Sequence, residues 1–212
     1  MKKIKLVVKT SSKNYPIIIG SNIIKNISSI IQSNNIKFNK CLIVADKKVP
    51  KKNLSILKKK ISCKTKSIYL FNPSEKNKNQ ASVNKILNKL LINNFNRGDC
   101  IISFGGGITG DVTGFAASVF KRGLKFINIP TTLLAQVDSS IGGKTGINNK
   151  YGKNLVGSFF QPDLVVSDIN LLTTLPKREI VCGYGEIFKH SLIANKKIFN
   201  YLDKNKFKVL NL

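Results

Sequence analysis

The chain has 212 residues, 42% of them hydrophobic, which suffices for one large domain or for one domain with part of a second. It has no long uncharged apolar run, and its N-terminus leads into strand-like alternation and not into a signal-peptide pattern, so we expect a cytoplasmic protein with no membrane partner. The formal net charge is +26, but the lysines are spread along a chain rich in Asn and Ile, so the charge does not indicate a specific nucleic-acid partner.

Apolar runs alternate with helical periodicity along most of the chain. The strand pattern predicts strands at residues 5–8, 16–20, 42–45, 67–71, 100–104 and 126–129. Helical spacing predicts helices after Ser21 as N-cap, at 49–59 and at 80–95. The alternation indicates an α/β fold with a parallel sheet. Because the sequence after about residue 171 is helical, we expect an α/β domain at 1–170 and the beginning of a helical domain at 171–212.

A glycine-rich loop follows the predicted strand at 100–104. Residues 105–110 have the spacing GxGxxG, which lets the backbone approach a pyrophosphate at the N-terminus of the next helix. The following strand does not end in an acid, where a ribose-binding acid is expected, so Asp46 and Glu75 are the candidates for that role. Ligands bind beyond the carboxyl ends of parallel strands, so Asp46, residues 72–78 and the loop should converge on one crevice.

A second polar, glycine-rich run follows the last predicted strand. It contains Asp138 between apolar residues, and Lys144, Lys153 and Asn154 among glycines in segments otherwise poor in lysine. Asp138 could be a helix cap and the lysines ordinary surface groups, but their setting favours a phosphate-handling site. Residues 143–145 look like the end of a P-loop, yet the glycine required five positions earlier is Asp138. Its negative charge opposes phosphate binding, which excludes the NTPase interpretation.

Taken together, the motifs closely resemble those of the 3-dehydroquinate synthase family. The matching stretches are GGGITGD at 105–111, GFAA at 114–117, RG at 122–123, PTTLLAQVDSS at 130–140, GGKT at 142–145, GKNL at 152–155, TLPKRE at 174–179 and GYGEIFK at 183–189. The resemblance covers nearly the whole chain, and the run at 130–154 is its most specific part. It implies a Rossmann-like, parallel-sheet NAD-binding domain followed by the start of an all-helical domain that binds metal and substrate.

The resemblance also implies an activity, that of an NAD- and metal-dependent lyase of the shikimate pathway, which serves aromatic amino acid biosynthesis. Members of the family convert 3-deoxy-D-arabino-heptulosonate 7-phosphate to 3-dehydroquinate and phosphate. The steps are transient oxidation by NAD, phosphate elimination, reduction and aldol closure, and a divalent metal, zinc or cobalt, polarises the hydroxyl that is oxidised. The implied partners are a small sugar phosphate and a second copy of the chain in a homodimer.

Matched position by position, the resemblance assigns NAD contacts to several stretches. These are Asp46 (in some members only), Pro73, Ser74, Glu75, Lys76, Asn77, Lys78, Gly107, Ile108, Thr109, Gly110, Asp111, Thr131, Thr132, Lys144, Lys153, Leu171, Leu172, Thr173 and Thr174.

A further set of positions is assigned to catalysis and metal binding. Asp138 would hydrogen-bond ring hydroxyls, and Lys189 would contact another substrate hydroxyl. The residues for the phosphate and nearby oxygens are Lys144, Lys153, Asn154 and, from the partner subunit, Arg122. Glu186 would be a metal ligand. His190 is spaced i, i+4 from Glu186, but its position is not a ligand in the family, so we predict a helix residue near the site.

The chain departs from the family pattern in its histidines. The family's other two metal ligands lie in a later Gly-His-Thr-x-Gly-His segment, whereas this chain has one His and ends at Leu212. We therefore expect a C-terminally truncated form, whether a fragment, a truncated gene product or part of a split enzyme. Catalytic zinc normally has three protein ligands, so we expect the chain to bind NAD without full turnover.

Several other functions stay open at this point. The first two are another sugar phosphate cyclase and a polyol dehydrogenase of the same superfamily. The third is a non-catalytic NAD-binding remnant that acts as a nucleotide-binding or dimerisation module. A basic nucleic-acid binder is the fourth, and no motif supports it.

Overall fold

The computed structural model describes residues 3–210, with side chains described up to residue 205. The strands are β1 (Ile4–Val8), β2 (Tyr15–Gly20), β3 (Lys40–Asp46), β4 (Thr65–Phe71), β5 (Cys100–Gly105), β6 (Lys125–Pro130), β7 (Lys144–Asn149), β8 (Gly152–Phe159) and β9 (Leu164–Asp168). The α-helices are α1 (Ile27–Ser33), α2 (Lys51–Lys60), α3 (Gln80–Ile92), α4 (Gly107–Val119), α5 (Lys177–Ala194) and α6 (Lys196–Leu210). Short 3₁₀ turns lie at Ile23–Asn26, Glu75–Asn77, Phe120–Arg122 and Ile169–Thr174, and a π-helical turn at Ala135–Ser139.

Seven strands form one sheet in the order β1-β2-β9-β6-β5-β3-β4. All neighbours in it pair in parallel except β1 and β2, which are antiparallel. From β3 the chain proceeds to the β4 edge, whereas from β5 it proceeds to β6 in the opposite direction. The order of connections therefore reverses between β3 and β5, and in open α/β sheets such a reversal marks the ligand crevice.

The central strands are buried on both faces, which explains their continuous apolar runs. On one face the core joins strand residues to α1 and α2 through Ile27, Ile30 and Leu57. On the other face α3 and α4 pack through Val83, Ile86, Leu90, Val112 and Ala116. Both helix pairs bury one apolar stripe, so the sheet lies between two helical layers and holds the ends of β3 and β5 in place.

The structure confirms the α/β class, the mostly parallel sheet and the six predicted strands, with ends that differ by up to two residues. The prediction that Ser21 caps a helix is wrong. The first turn begins at Ile23 with Asn22 in the N-cap position, where it makes no side-chain cap, and the Ser21 hydroxyl instead donates to the side-chain oxygen of Asn170. The β7–β8 hairpin and β9 are additional strands that the sequence patterns did not predict.

After β9 the described chain is helical up to residue 210. A Cβ at Gly183 of α5 would lie 2.6 Å from the Leu133 side chain, so this glycine lets α5 approach the segment that leads into the π-helical turn. Helix α6 then packs on α5 through the rings of Phe188 and Phe199, whose centroids are 5.8 Å apart. Between residues 3 and 210 no helix has the length and apolar character needed to cross a membrane.

Candidate active site: two adjoining clefts

The larger of two clefts, about 720 Å³, lies beyond the carboxyl ends of β3 and β5, at the reversal of the sheet. It is lined by the ends of these strands, the first turn of α4, the segment after β6 and the start of the helical part. The lining residues are Asp46, Lys48, Val49, Pro50, Asn53, Pro73, Glu75, Gly106, Gly107, Ile108, Asp111, Thr131, Thr132, Leu134, Asp138, Ser139, Leu171, Thr174, Leu175, Pro176 and Glu179. The predicted convergence of Asp46, residues 72–78 and the glycine loop holds for Asp46, for the loop and, within 72–78, for Pro73 and Glu75.

The glycine loop places the N-terminus of α4 in this cleft. Gly106 is extended and α4 begins at Gly107, so the first N–H groups of a 13-residue helix are available to an anion. A Cβ on Gly107 would lie 2.8 Å from Ser139 Oγ, so only glycine leaves this space open. The Ser139 hydroxyl is buried and has no hydrogen-bond partner among the described side chains. A bound dinucleotide fits this cradle, because its phosphates need helix N–H groups and its hydroxyls need such partners.

Asp46 stands at the end of β3, 7% exposed. Its Oδ1 accepts the Lys48 N–H at 2.7 Å, which holds the carboxylate at the mouth of the cleft. Burial raises the pKa of Asp46 above its ordinary value, while the backbone N–H groups of Lys48 and Gly106 act in the opposite direction. A carboxylate in this position can accept hydrogen bonds from ribose hydroxyls.

The smaller cleft, about 530 Å³, lies between α4, the π-helical turn and the β7–β8 hairpin. Its lining residues are Asp111, Asp138, Ser139, Ile141, Lys144, Thr145, Gly146, Asn154, Leu155, Gly157, Ser158 and Phe159. Three of them, Asp111, Asp138 and Ser139, line the larger cleft as well, so the two clefts adjoin. A ligand in one cleft can therefore meet a ligand in the other at these side chains.

Lys78 lines neither cleft but donates hydrogen bonds to residues that do. Its Nζ donates to Asp111 Oδ2 at 2.5 Å and to Asn154 Oδ1 at 2.6 Å, and the residue is 7% exposed. Burial raises the pKa of Asp111, although the Lys78 ammonium acts to lower it. Lys78 was predicted to contact NAD, but it lines neither cleft, and its ammonium is engaged by these two partners.

The β7–β8 hairpin is tied to the loop after β4. The Asn148 N–H donates to the Lys78 carbonyl at 2.7 Å, and the Asn148 side-chain amide donates to Glu75 Oε2 at 2.8 Å. Lys153 Nζ lies 3.8 Å from the same Glu75 oxygen with 73% of its side chain exposed. Lys153 is therefore turned toward Glu75 and does not line the smaller cleft, in contrast to Lys144 and Asn154.

The structure brings about half of the predicted cofactor residues into the larger cleft: Asp46, Pro73, Glu75, Gly107, Ile108, Asp111, Thr131, Thr132, Leu171 and Thr174. Those that do not line it are Ser74, Lys76, Asn77, Lys78, Thr109, Gly110, Lys144, Lys153, Leu172 and Thr173. Ser74 does not line the cleft because its hydroxyl accepts a hydrogen bond from the nearby Asn77 N–H at 3.2 Å. Arg122, exposed and with a positive φ of 64°, lines neither cleft of the chain.

Several lining residues were not predicted. Asn53 on α2 and Glu179 on α5 face the larger cleft, although nothing in their local sequence distinguishes them from surface residues. Ser139 lay inside a recognised motif, and its buried, unpartnered hydroxyl became visible only in the folded chain. Phe159, at 81% exposure, lines the smaller cleft from the end of β8.

A cluster of metal-ligating groups stands beside the two clefts. Ligand atoms of Asp138, Glu186 and His190 all lie within 4.8 Å of one another. Glu186 Oε1 is 3.1 Å from His190 Nε2 and also contacts Lys189 Nζ. The lysine contact is the main cause that lowers the pKa of Glu186. Two carboxylates and an imidazole suit zinc or cobalt, so this donor set fits a divalent metal. His190, predicted only to lie near the site, in fact contacts the predicted metal ligand.

Comparisons with known proteins identify the family of this chain. The family model described as "3-dehydroquinate synthase N-terminal" matches residues 68–182. The 3-dehydroquinate synthase of Pelagibacter ubique (strain HTCC1062) is 62% identical over 209 residues, which are 99% of this chain and 57% of that protein. The 3-dehydroquinate synthase of Campylobacter concisus (strain 13826) is 53% identical over 128 residues, 60% of this chain and 37% of that protein. The chain thus spans about half the length of these relatives.

Two solved structures have a fold similar to that of this chain. The crystal structure of 2-deoxy-scyllo-inosose synthase complexed with carbaglucose-6-phosphate, NAD+ and Co2+ has a TM-score of 0.81 at 28% identity, covering 90% of this chain and 52% of that chain. ValA, a 2-epi-5-epi-valiolone synthase from Streptomyces hygroscopicus with NAD+ and Zn2+ bound, has a TM-score of 0.83 at 24% identity, covering 97% of this chain and 57% of that chain. The second likeness concerns the fold alone.

Proposed function

The chain belongs to the 3-dehydroquinate synthase family, and from that premise we propose that it supplies the NAD-binding part of a 3-dehydroquinate synthase. The proposed reaction converts 3-deoxy-D-arabino-heptulosonate 7-phosphate to 3-dehydroquinate and phosphate. The observation that carries the proposal is the pair of adjoining clefts, one at the N-terminus of α4 and one beside Lys144 and Asn154, which share Asp111, Asp138 and Ser139.

The larger cleft is the proposed site of NAD. The N-terminus of α4 receives the pyrophosphate, and Asp46 and Glu75 accept hydrogen bonds from ribose hydroxyls. Thr131 and Thr132, directly after β6, complete the contacts from the other side of the crevice. When bound, NAD supplies a hydride acceptor that later returns the hydride, so it is regenerated in each turnover.

The smaller cleft is the proposed site of the sugar phosphate. Lys144 and Asn154 face it and can contact phosphate oxygens, and Lys153 joins them when its exposed side chain rotates away from Glu75. Asp138 stands where the clefts meet and can hydrogen-bond the hydroxyl at the reacting carbon. Arg122 is assigned to phosphate binding in the other subunit of a homodimer, and it lines neither cleft of its own chain.

Glu186 and Lys189 complete the proposed site from α5. Glu186 would hold a divalent metal, zinc or cobalt, which supplies a positive charge that polarises the hydroxyl to be oxidised. Lys189 is 55% exposed on its side chain and contacts Glu186, so it can move between that carboxylate and a substrate hydroxyl. The chain carries this part of the machinery on the same helix that closes the larger cleft through Glu179.

The remaining proposals concern domain organisation, oligomeric state, cellular location and nucleic-acid binding. We propose that residues 1–170 form the NAD-binding domain, and that residues 171–212 begin a helical domain for metal and substrate. We further propose a homodimer in the cytoplasm with no specific nucleic-acid partner. Light scattering coupled to size-exclusion chromatography tests the dimer, and a DNA-binding assay at several salt concentrations tests the last point, since a lysine-rich surface binds DNA only weakly and with strong salt dependence.

The experiment that tests the cofactor site is calorimetric titration of the purified chain with NAD. Two neighbouring threonines offer a matched pair, because both are exposed and only Thr174 lines the larger cleft. Thr174→Trp places a large ring in the cleft and should weaken NAD binding by about tenfold or more, whereas Thr173→Trp should change it by less than about twofold. Absence of NAD binding in the unchanged chain, or equal effects of the two variants, would contradict the assignment.

A second measurement distinguishes the synthase from the related functions. A synthase releases phosphate without net formation of NADH, whereas a polyol dehydrogenase accumulates NADH and needs no cation for a substrate phosphate. The chain, NAD and Zn²⁺ are incubated with the heptulosonate phosphate and, separately, with polyols. NADH accumulation from a polyol would favour a dehydrogenase, and a cyclic product other than 3-dehydroquinate would favour another sugar phosphate cyclase. NAD binding with neither reaction is the result expected both for the NAD-binding part of a synthase and for a non-catalytic NAD-binding module.

A further inference from the structure

We propose that Cys41 and Cys63 are a thiol pair that a small-molecule disulfide oxidises reversibly to an intramolecular disulfide. Their Sγ atoms are 3.5 Å apart, with the Cys63 thiol donating to the Cys41 sulfur. The two residues are 22 positions apart in the sequence, so their proximity arises only from the fold. The inference does not rest on the proposed function, because neither cysteine lines either of the two clefts.

Both cysteines lie on the face of the sheet that α1 and α2 cover. Cys41, the second residue of β3, is fully buried in the core on this face, and Cys63 packs against that core from the loop between α2 and β4. The loop is held beside β3, because Ile61 is buried and the Thr65 N–H donates to the Asn39 carbonyl at 3.2 Å. A disulfide has a sulfur–sulfur distance of about 2.05 Å, so the two sulfurs must approach by about 1.5 Å. Rotation of the two side chains with a small shift of the loop supplies this movement.

The two thiols differ in their access to a reagent. Cys63 is partly exposed and Cys41 is fully buried, so an oxidant in solution reaches Cys63 first. Burial also raises the pKa of the Cys41 thiol, which disfavours Cys41 as the first nucleophile. The geometry therefore makes Cys63 the attacking residue and Cys41 the resolving one.

The reaction is a thiol–disulfide exchange in two steps. The Cys63 thiolate first attacks one sulfur of the reagent, and the other half of the reagent leaves as a thiolate. Cys41 then loses its proton to solvent and attacks Cys63 Sγ, and the second half of the reagent leaves as a thiolate. Two protein thiols are thereby oxidised to one disulfide, and the reagent is reduced to two thiols.

The disulfide would close a loop that includes one wall of the larger cleft. Asp46, Lys48 and Asn53 lie within this loop and line the cleft. Cys41 lies at the opposite end of β3 from Asp46, so the disulfide should leave the cleft in place. Because a closed loop restricts the unfolded chain, oxidation should move the midpoint of urea unfolding to a higher concentration, and reduction should return it.

Two other cysteines decide how the test is arranged. Cys100 is the partner of Cys41 on the adjacent strand β5 and is fully buried, so a reagent reaches it only after local opening of the sheet. It is therefore the matched control for Cys41. Cys182 is exposed on α5 and would react directly, so the variant Cys182→Ser removes this side reaction.

The test is incubation of the full Cys182→Ser chain with excess oxidised glutathione, followed by alkylation in denaturant, digestion with trypsin and mass spectrometry. The sequence has four cysteines, so this variant has three, and two of its three thiols should be lost as one disulfide. Trypsin cuts after Lys and Arg, which places the three cysteines on separate peptides at 41–47, 61–64 and 98–121. The expected product joins 41–47 to 61–64, and dithiothreitol should restore both thiols.

Three further substitutions in the same background separate the steps. Cys41→Ala should stop the reaction after its first step, with glutathione retained on Cys63. Cys63→Ala should keep both remaining thiols, and Cys100→Ala should form the same disulfide as its parent. The linked peptides of the Cys182→Ser chain decide the question even where a core variant fails to fold.

The inference is overturned if Cys41 stays free in the oxidised Cys182→Ser chain, if the linked peptides join Cys41 to Cys100, or if Cys63→Ala loses its thiols as fast as its parent. NAD titration of the oxidised chain separates this inference from the proposed function. A chain that forms the Cys41–Cys63 disulfide and binds no NAD, whether oxidised or reduced, contradicts the proposed function and supports the inference.

Discussion

Lys78 Nζ lies 2.5 Å from Asp111 Oδ2, and 8% of the lysine side chain is exposed. The pair joins the loop after β4 to the first turns of α4, and the second contact of Lys78, to Asn154, extends the connection to β8. One ammonium group thus holds three segments, of which α4 borders both clefts, the loop after β4 borders the larger cleft and β8 borders the smaller one. An ion pair of this kind contributes little net stability compared with apolar packing, but removal of one partner leaves an uncompensated charge.

Replacement of Lys78 by Met should therefore destabilise the chain. Asp111 would keep a largely buried carboxylate without its cation, and because one fifth of its side chain is exposed we expect a cost of about 2 to 3 kcal/mol in urea unfolding. The exposed Lys76→Met is the control, with an expected change within about 0.5 kcal/mol. Lys78→Met combined with Asp111→Asn should recover a large part of the loss. A double variant as unstable as the single one would refute this explanation.

The two glycines of α5 should respond to alanine in opposite directions. At Gly183 a Cβ would lie 2.7 Å from the Leu134 backbone nitrogen, so Gly183→Ala forces α5 away from the π-helical turn and should cost about 1 to 3 kcal/mol. At Gly185 a Cβ meets no atom within 4 Å, and Gly185→Ala should stabilise the helix by about 0.5 to 1 kcal/mol. Urea unfolding of both variants measures the difference. Stabilisation by both would show that α5 does not pack closely here.

We expect the Asp168 carboxylate to stabilise the segments that meet at the end of β9. It is 0% exposed, and its oxygens accept the backbone N–H groups of Asn22 at 2.8 Å, Ile24 at 3.0 Å and Asn170 at 3.0 Å. Asp168→Ala leaves these donors without their acceptor and should cost about 3 kcal/mol or more. Asp168→Asn retains one acceptor oxygen and should cost less, because Asn22 and Asn170 share Oδ1. Equal losses in thermal or urea unfolding would contradict this account.

The stability of the chain should depend on pH through Asp46. Burial raises its folded-state pKa above the ordinary value of 3.8, so between these two values the folded chain binds more protons than the unfolded chain. The Asp46 contribution to the unfolding free energy therefore falls as pH rises through this window and is constant above it. The variant Asp46→Asn has no titrating carboxyl at this position, so it lacks this pH-dependent contribution to the unfolding free energy. Relative to the unchanged chain, its unfolding free energy should rise between about pH 4 and the folded-state pKa, then level off. A difference independent of pH would refute the prediction.

Much of the fold was predictable because its signals are local. Continuous apolar runs identify β3, β5 and β6, since strands buried on both faces need apolar residues at every position. The β7–β8 hairpin gave no such signal, because β8 is almost entirely exposed and its residues show no alternation of burial. The antiparallel pairing of β1 with β2 was likewise not visible, since strand direction depends on partners and not on the pattern of one strand.

The features of the candidate site likewise fall into those that the sequence indicated and those that only the folded structure revealed. The sequence by itself determined the glycine loop, through its spacing and its place between a strand and a helix, and the family resemblance of contiguous motifs pointed to the Asp138 segment and to Glu186 as a candidate metal ligand. The tertiary structure decided that Lys78 pairs with Asp111 and that Lys153 faces Glu75. It also decided that Asp138 reaches Glu186 and His190, because α5 packs against the π-helical turn at Gly183. Contacts between distant segments depend on how the helices pack on the sheet, and no local pattern encodes the distance between two side chains.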